Sequence, residues 1–202
     1  MKRLLLVIFA VLAFTSLSAQ SFRLGVKAGP NFASVNGDDT EDVDGRTSIH
    51  FGAVAEFGIS EAFSVQPELL YNSVGATSSY TDTFSGMTFN VHETLKLNYL
   101  SLPIMAKYKV AKGLSLEAGP QISFLLSADE EVEVDSESVE VDVSDFVKSV
   151  DFGLGFGASY ELDMGLFFTA RYMLGLSNIN DFEGDFTNRN NVLQLSVGYF
   201  FL

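Results

Sequence analysis

Few residues in this 202-residue chain are of the types that carry out enzymatic chemistry. There are two histidines, His50 and His92, and no cysteine, which excludes thiolate nucleophiles, thiolate metal sites and disulfides. The chain contains no GxSxG motif, which would supply a nucleophile, and no HExxH motif, which would supply a pair of metal ligands. The sequence therefore predicts a protein that is not an enzyme and needs no cofactor.

The acidic residues are a second set that could have a chemical role. Most of the 26 carboxylates lie in four polar segments, and residues 128–145 alone hold nine. Clustered carboxylates can bind Ca²⁺ or Mg²⁺, and the candidate ligands here are Asp129, Glu130, Glu131, Glu133, Asp135 and Glu137. Their spacing is not that of an EF-hand, so a solvated, self-repelling surface is the alternative and no metal is assigned. The net charge of −14 argues against nucleic acid as a partner, because its phosphates attract Lys and Arg.

The N-terminus has the layout of a secretory signal peptide. Lys2 and Arg3 precede an apolar run over residues 4–17, and the small residues Ser18 and Ala19 follow. The run is shorter than the ~20 residues of a membrane-spanning helix, so we expect cleavage after Ala19, with an uncleaved anchor as the alternative. The expected organisation is a signal peptide over 1–19 and one exported domain over 20–202.

From Phe22 onward, apolar residues alternate with small or polar ones. A tilted transmembrane strand needs about 9–11 residues, and eight runs are long enough: 22–34, 48–59, 63–76, 95–109, 114–127, 149–162, 165–178 and 191–202. Three connections are short, whereas four are long and polar: 35–47, 77–94, 128–148 and 179–190. Alternating valines suggest that residues 128–145 form a β-hairpin.

This asymmetry of connections is typical of outer-membrane barrels. The predicted fold is therefore all-β: an eight-stranded, antiparallel, transmembrane up-and-down β-barrel preceded by a cleavable signal peptide. An even number of strands puts both termini on the short-turn side, in the periplasm, and the long loops outside the cell.

The last strand shows the two faces of the predicted wall. One face carries Leu193, Leu195, Val197, Tyr199 and Phe201, and the other carries Gln194, Ser196 and Gly198. A soluble barrel such as a lipocalin would bury the apolar row and expose the charged one, and alternation alone leaves this possibility open. Glycine-rich polar faces, which suit a narrow lumen, and aromatic residues near the strand ends favour the membrane barrel.

The strand over 95–109 is irregular. Its apolar row changes sides above Tyr99, because Leu95 and Leu97 fall on the inner row. A bulge near Asn98, or the exit of the strand from the membrane there, would explain the change.

The inner row of the predicted barrel is charged. It includes Arg23, Lys27, Glu56, Glu68, Lys107, Glu117, Asp151, Glu161 and Arg171, and all of these except Asp151 are expected to form one ion cluster. Charges inside a barrel must pair or stay hydrated, which leaves two interpretations: a packed ion-pair plug or a small polar channel. Side chains can fill an eight-stranded barrel, so we predict the plug. His50 is expected near the outer rim, hydrogen-bonded in the wall, where it could meet Asp151.

Several short segments carry a family resemblance. They are 24–31 (LGVKAGPN), 63–71 (FSVQPELLY), 99–104 (YLSLPI), Gly119-Pro120, 170–172 (ARY) with 175–176 (GL), and 192–201. In order and spacing they resemble a bacteroidete-type outer-membrane β-barrel family whose members are called porin-like or PorT-like. The chain departs from the family pattern in that Leu202 follows the aromatic Phe201. The resemblance implies an eight-stranded barrel in the outer membrane and implies little chemistry.

These inferences predict an integral outer-membrane protein with a structural, envelope or surface-interaction role. Its expected partners are outer-membrane lipid, lipopolysaccharide, the barrel-assembly machinery and an envelope protein not identified by the sequence. The alternatives are a narrow small-solute channel and an accessory subunit of a secretion or uptake machine.

Overall fold

The computed structural model describes residues 21–38, 43–84, 87–134, 137–181 and 187–201. They form nine strands: β1 Phe22–Gly37, β2 Val43–Gly58, β3 Phe63–Phe84, β4 Met87–Ala111, β5 Leu114–Val134, β6 Glu137–Asp142, β7 Val150–Glu161, β8 Leu166–Gly175 and β9 Asn188–Phe201. One turn of 3-10 helix, Ser144–Phe146, precedes β7. Within these ranges, no helix has the length and apolar character needed to span a bilayer. The predicted signal peptide, 1–19, lies outside the described residues.

Eight of the strands close into a ring. Each pairs antiparallel with its neighbours, β9 returns to β1, and β5 pairs with both β4 and β7. Strand β6 stands outside the ring and pairs with the distal part of β5. The predicted eight-stranded up-and-down barrel is confirmed. Closure pairs both edges of every ring strand, as a bilayer requires, since lipid offers no hydrogen bonds to a free edge.

Short turns join the strands at one end of the barrel, the short-turn end, and long hairpins join them at the other, the long-hairpin end. The hairpin predicted over 128–145 is present, with Val132 paired to Val139. The segments 35–47 and 77–94, predicted as loops, are mostly strand: β3 continues to Phe84 and β4 begins at Met87. The end of β3, residues 77–83, is largely polar on both faces, so it lacks the apolar alternation by which a strand is recognised in sequence. The start of β4 does alternate, with Phe89 and Val91 on one row and Asn90 and His92 on the other.

The outer surface of the barrel wall is apolar. On β9, Leu195 and Val197 are 41% and 47% exposed, whereas Gln194 and Ser196 are 1% and 8% exposed. A lipocalin-type barrel in water would have the opposite arrangement, so the soluble alternative does not fit. Apolar residues outside and polar residues inside are the arrangement of a barrel in lipid.

The irregularity in the fourth strand has two parts. Asn98 pairs with Ser127 and Tyr99 with Leu125, so a bulge lies at the expected place and its extra residue, Leu126, belongs to β5. Strand β4 itself keeps its phase, because Leu97 and Tyr99 both point inward and are buried. The inner row carries apolar residues there because they pack against other apolar side chains inside the barrel at this level.

This apolar level, here called the apolar cap, lies inside the long-hairpin end. Its buried members are Ala33, Val35, Val74, Ala76, Leu97, Tyr99, Ala128, Met173, Ile179 and Val192.

Glycines on the inner face make room for large side chains. A Cβ on Gly155 would lie 2.6 Å from the sulfur of Met173, and a Cβ on Gly198 would overlap the ring of Phe167. The glycine-rich inner face thus lets bulky side chains cross the interior.

Candidate functional site in the barrel interior

The charged residues predicted to face the lumen come from seven of the eight ring strands. Strand alternation turns each of them inward, because every second residue of a strand points to the same side. On β1 the inward residues run from Arg23 at the short-turn end through Lys27 and Asn31 to Val35. The interior therefore changes along its axis from charged to amide-rich to apolar.

Arg171 is the centre of the most buried charged group. Its Nη1 and Nη2 donate to the two oxygens of Glu68 at 2.9 and 2.8 Å, and its Nε donates to Glu117 at 2.7 Å. The Lys27 ammonium reaches the same Glu68 carboxylate at 2.7 Å. The bidentate pair is the strongest form of such a contact. Two cations and two carboxylates thus balance in the middle of the barrel.

A second charged group lies nearer the short-turn end. Arg23 donates at 2.8 Å to both Glu56 and Glu161, and Lys107 donates to Glu56 at 2.7 Å. The Arg23 guanidinium also lies 4.2 Å from the centre of the Phe200 ring, within the range of a cation–π contact. Two cations and two carboxylates again balance.

Gln66 joins the two groups. Its Oε1 accepts from Lys107 at 2.9 Å, and its Nε2 donates to Glu68 at 2.7 Å. The structure therefore brings the eight residues of the predicted cluster into one assembly, here called the ion network, with four cations and four carboxylates; the ninth inward charge, Asp151, lies outside it. Balance matters because an uncompensated buried charge costs several kcal/mol. Sequence reasoning missed Gln66, although alternation with Glu68 placed it on the inner row.

Amide and hydroxyl side chains lie between the ion network and the apolar cap. His50 is 1% exposed, with Nδ1 2.7 Å from Asn31 Oδ1 and Nε2 2.8 Å from Ser196 Oγ. An amide oxygen only accepts, so Nδ1 carries the proton and Nε2 accepts from the serine hydroxyl. His50 therefore lies deep in the interior, and the expected contact with Asp151 at the rim is wrong.

The Ser196–His50–Asn31 chain has the connectivity of an activated nucleophile, in which a base orients the attacking hydroxyl. However, Ser196 is only 8% exposed, and none of the three residues lines the main cavities of the described barrel. A substrate would have no room at the hydroxyl. The geometry fits a hydrogen-bonded part of the wall.

The acidic hairpin β5–β6 projects beyond the ring. Asp129 and Glu131 lie on one face, and Glu131 pairs with Glu140 of β6. The Lys96 ammonium lies 2.8 Å from Glu131 and 3.2 Å from Glu140. Its hydrogen bond lowers the pKa of Glu131, and the same bond raises the pKa of Lys96. Both side chains are largely in water, where such pairs contribute little stability.

The five candidate metal ligands that the structure describes do not converge. Strand register turns Asp129, Glu131 and Glu133 to one face and Glu130 and Glu137 to the other; Asp135 lies outside the described residues. In the part of the chain that the structure describes, no three acidic or histidine side chains are placed to hold a metal ion.

Two proteins of known structure resemble this barrel. Ail, the attachment invasion locus protein of Yersinia pestis, has a TM-score of 0.52 at 12% identity, with 89% of this chain and 98% of Ail covered. Neisserial surface protein A has a TM-score of 0.52 at 13% identity, with 91% of this chain and 99% of that protein covered. At this identity both likenesses show the fold alone. No curated protein matches the sequence.

A family model gives the more specific result. The model described as "Outer membrane protein beta-barrel domain" matches residues 18–181, most of the chain. This match agrees with the closed ring of eight antiparallel strands and with its apolar outer surface. The chain belongs to the outer membrane protein β-barrel domain family.

Proposed function

We propose that this protein is a non-enzymatic, integral outer-membrane barrel whose lumen is closed by the ion network. Its role is structural or interactive: it contributes to the envelope and presents acidic hairpins at the cell surface. The termini lie in the periplasm after removal of the signal peptide, residues 1–19. The observation that carries the proposal is the balanced, buried ion network that crosses the interior.

Burial of the central charges supports a closed lumen. The side chains of Lys27, Glu68, Glu117 and Arg171 are at most 1% exposed. A permeating ion would have to separate bidentate pairs and then cross the apolar cap, where no side-chain charge replaces its hydration shell. Each step is costly because unpaired charge in an apolar environment is strongly disfavoured.

The surfaces of the barrel support the proposed partners. Exposed apolar rows suit outer-membrane lipid, and a barrel of this kind needs the assembly machinery to insert it. The acidic hairpin, with its candidate ligands split between two faces, suits a solvated surface better than a Ca²⁺ site. Segment 63–71, which carries part of the PorT-like resemblance, supplies Gln66 and Glu68 of the ion network. On the resemblance of this and the other segments, we propose that the chain belongs to the bacteroidete-type branch.

Planar-bilayer recording tests the closed lumen. Purified protein refolded into lipid should give no steady, stepwise conductance, while its shifted gel mobility before boiling confirms that the barrel has formed and inserted. An ion-selective conductance that scales with the amount of folded protein would replace this proposal with the narrow channel. Recovery of a stoichiometric partner complex from native membranes would favour the accessory-subunit role.

A further inference from the structure

A small cavity lies between the amide-rich level and the apolar cap. Its volume is about 20 Å³, and its polar lining includes Tyr99, Gln121, Asp151 and Asn190. About 10–15 Å³ is enough for one water-sized particle. The cavity therefore has room for a single small occupant.

Two polar atoms of the lining have no hydrogen-bond partner by distance and angle. They are the carbonyl oxygens of Gln121 and Asn190. Gln121 and Asn190 are 9% and 6% exposed, so bulk water does not reach these atoms freely. Unsatisfied buried atoms of this kind in native proteins point to a bound water or ion. The two carbonyl oxygens can only accept, or coordinate a cation.

Asp151 adds a negative charge to the same cavity. Its carboxylate accepts from the Ser177 hydroxyl and, at 3.4 Å, from Asn190 Nδ2. None of the ion pairs found among the described residues includes Asp151. The ion network cannot compensate this charge, since its own four cations and four carboxylates already balance.

We propose that the cavity binds one sodium-sized monovalent cation, held by the Asp151 carboxylate and the carbonyl oxygens of Gln121 and Asn190. All three ligands are oxygen atoms, which hard cations prefer. One carboxylate matches one positive charge, and the cavity admits one particle. A divalent cation would leave one positive charge uncompensated beside the single carboxylate, which is costly in a buried site.

Thermal unfolding of the purified barrel in detergent tests the site. The midpoint is compared in NaCl and in choline chloride at equal ionic strength, because choline is too large for the cavity. A ligand that binds only the folded state stabilises it by mass action. The midpoint should therefore be higher in NaCl, rising about 3–5 °C per tenfold increase in Na⁺ above its dissociation constant.

Three variants assign the effect to the cavity. Asp151→Asn keeps the side-chain shape but removes the charge, so it should abolish the Na⁺ response and unfold at a higher temperature than wild type in choline chloride. Gln121→Met keeps the charge and removes one ligand, so it should weaken the response. Asp142→Asn, which alters an exposed carboxylate on β6, should leave the response unchanged.

If the wild type unfolds at the same midpoint in the two salts, the proposal is overturned. The cavity would then hold a water molecule, or Asp151 would be protonated. A Na⁺ response that survives in Asp151→Asn would also overturn it. High-resolution crystals grown in NaCl provide a second measurement. A density peak between Asp151, Gln121 and Asn190 with oxygen contacts shorter than hydrogen bonds is expected, and contacts of hydrogen-bond length, as water makes, would contradict the site.

Discussion

Arg171 makes three charge-assisted contacts in the most buried part of the barrel interior. Its guanidinium bonds three carboxylate oxygens that belong to two different strands, β3 and β5, from a position on β8. Removal of Arg171 would leave Glu117 without a salt-bridge partner and Glu68 with Lys27 alone. The ion network therefore predicts a large effect at this one position.

Arg171→Met should lower the free energy of unfolding by about 3–5 kcal/mol, because breaking a buried pair strands the remaining charge. Urea titration of the barrel refolded into lipid vesicles measures this change. Lys112→Met is the matched control. Lys112 pairs with Asp163 at 2.9 Å, but both side chains are 84% exposed, so its loss should leave the free energy of unfolding almost unchanged. Equal costs for the two variants would contradict the buried network.

The sequence predicts which residues face the interior better than which ones meet there. Alternation alone places Arg171 and Glu117 on inner rows. Pairing depends on the stagger between strands: Lys27 lies opposite Gly52 and Gly198 on its neighbours and finds its carboxylate on β3, two strands away. His50 was misplaced for the same reason, since its partners come from β1 and β9.

At the scale of elements, β5 has two parts. Its first part belongs to the barrel wall, and its distal part pairs with β6 to form a projecting hairpin. The base of this hairpin is tied to the apolar cap: the Val143 amide donates to the Ala128 carbonyl at 2.8 Å, and the Ala128 amide donates to Ser144 Oγ at 3.1 Å. The side chain of Val143 packs against the cap. The tip, by contrast, is exposed on both faces of β6. The structure thus separates an exposed tip from a base that packs against the apolar cap.

Replacement of residues 131–141 by a short Gly-Ser turn should leave the unfolding midpoint and the shifted gel mobility unchanged, because exposed hairpin tips add few contacts. Replacement of residues 129–145 should lower the midpoint, since it also removes Val143 and Ser144. Failure of the shorter replacement to assemble would show that the tip is needed for folding. No difference between the two replacements would contradict the role of the base.

The long hairpins also show where sequence patterns stop being informative. Within the wall, strands such as β9 have one apolar and one polar face, and their positions were predicted to within a few residues. Beyond the apolar cap, residues 77–83 of β3 are half-buried or exposed on both faces in the part that the structure describes. This segment therefore lacks a two-environment alternation, and its pairing with β4 identifies it as strand.

At the scale of the whole molecule, the arrangement of polarity replaces a conventional core. The barrel wall exposes Leu, Val, Phe and Tyr, while its interior holds a balanced ion network, an amide-rich level and an apolar cap. Because the ion network is balanced, the net charge of −14 arises elsewhere, and the acidic hairpin accounts for much of it. Such a molecule can be stable only where lipid covers the wall and water covers the hairpins.

The most direct test of this arrangement is fluorescence quenching at single cysteines, which the cysteine-free chain allows. Leu195→Cys places a label on the exposed row of β9, and Val139→Cys places one on β6, where the residue is 63% exposed. In vesicles, brominated lipid should quench the label at 195 and spare the label at 139, and aqueous iodide should do the reverse. Quenching at 195 by iodide, with no effect of brominated lipid, would show that the apolar wall does not face the membrane.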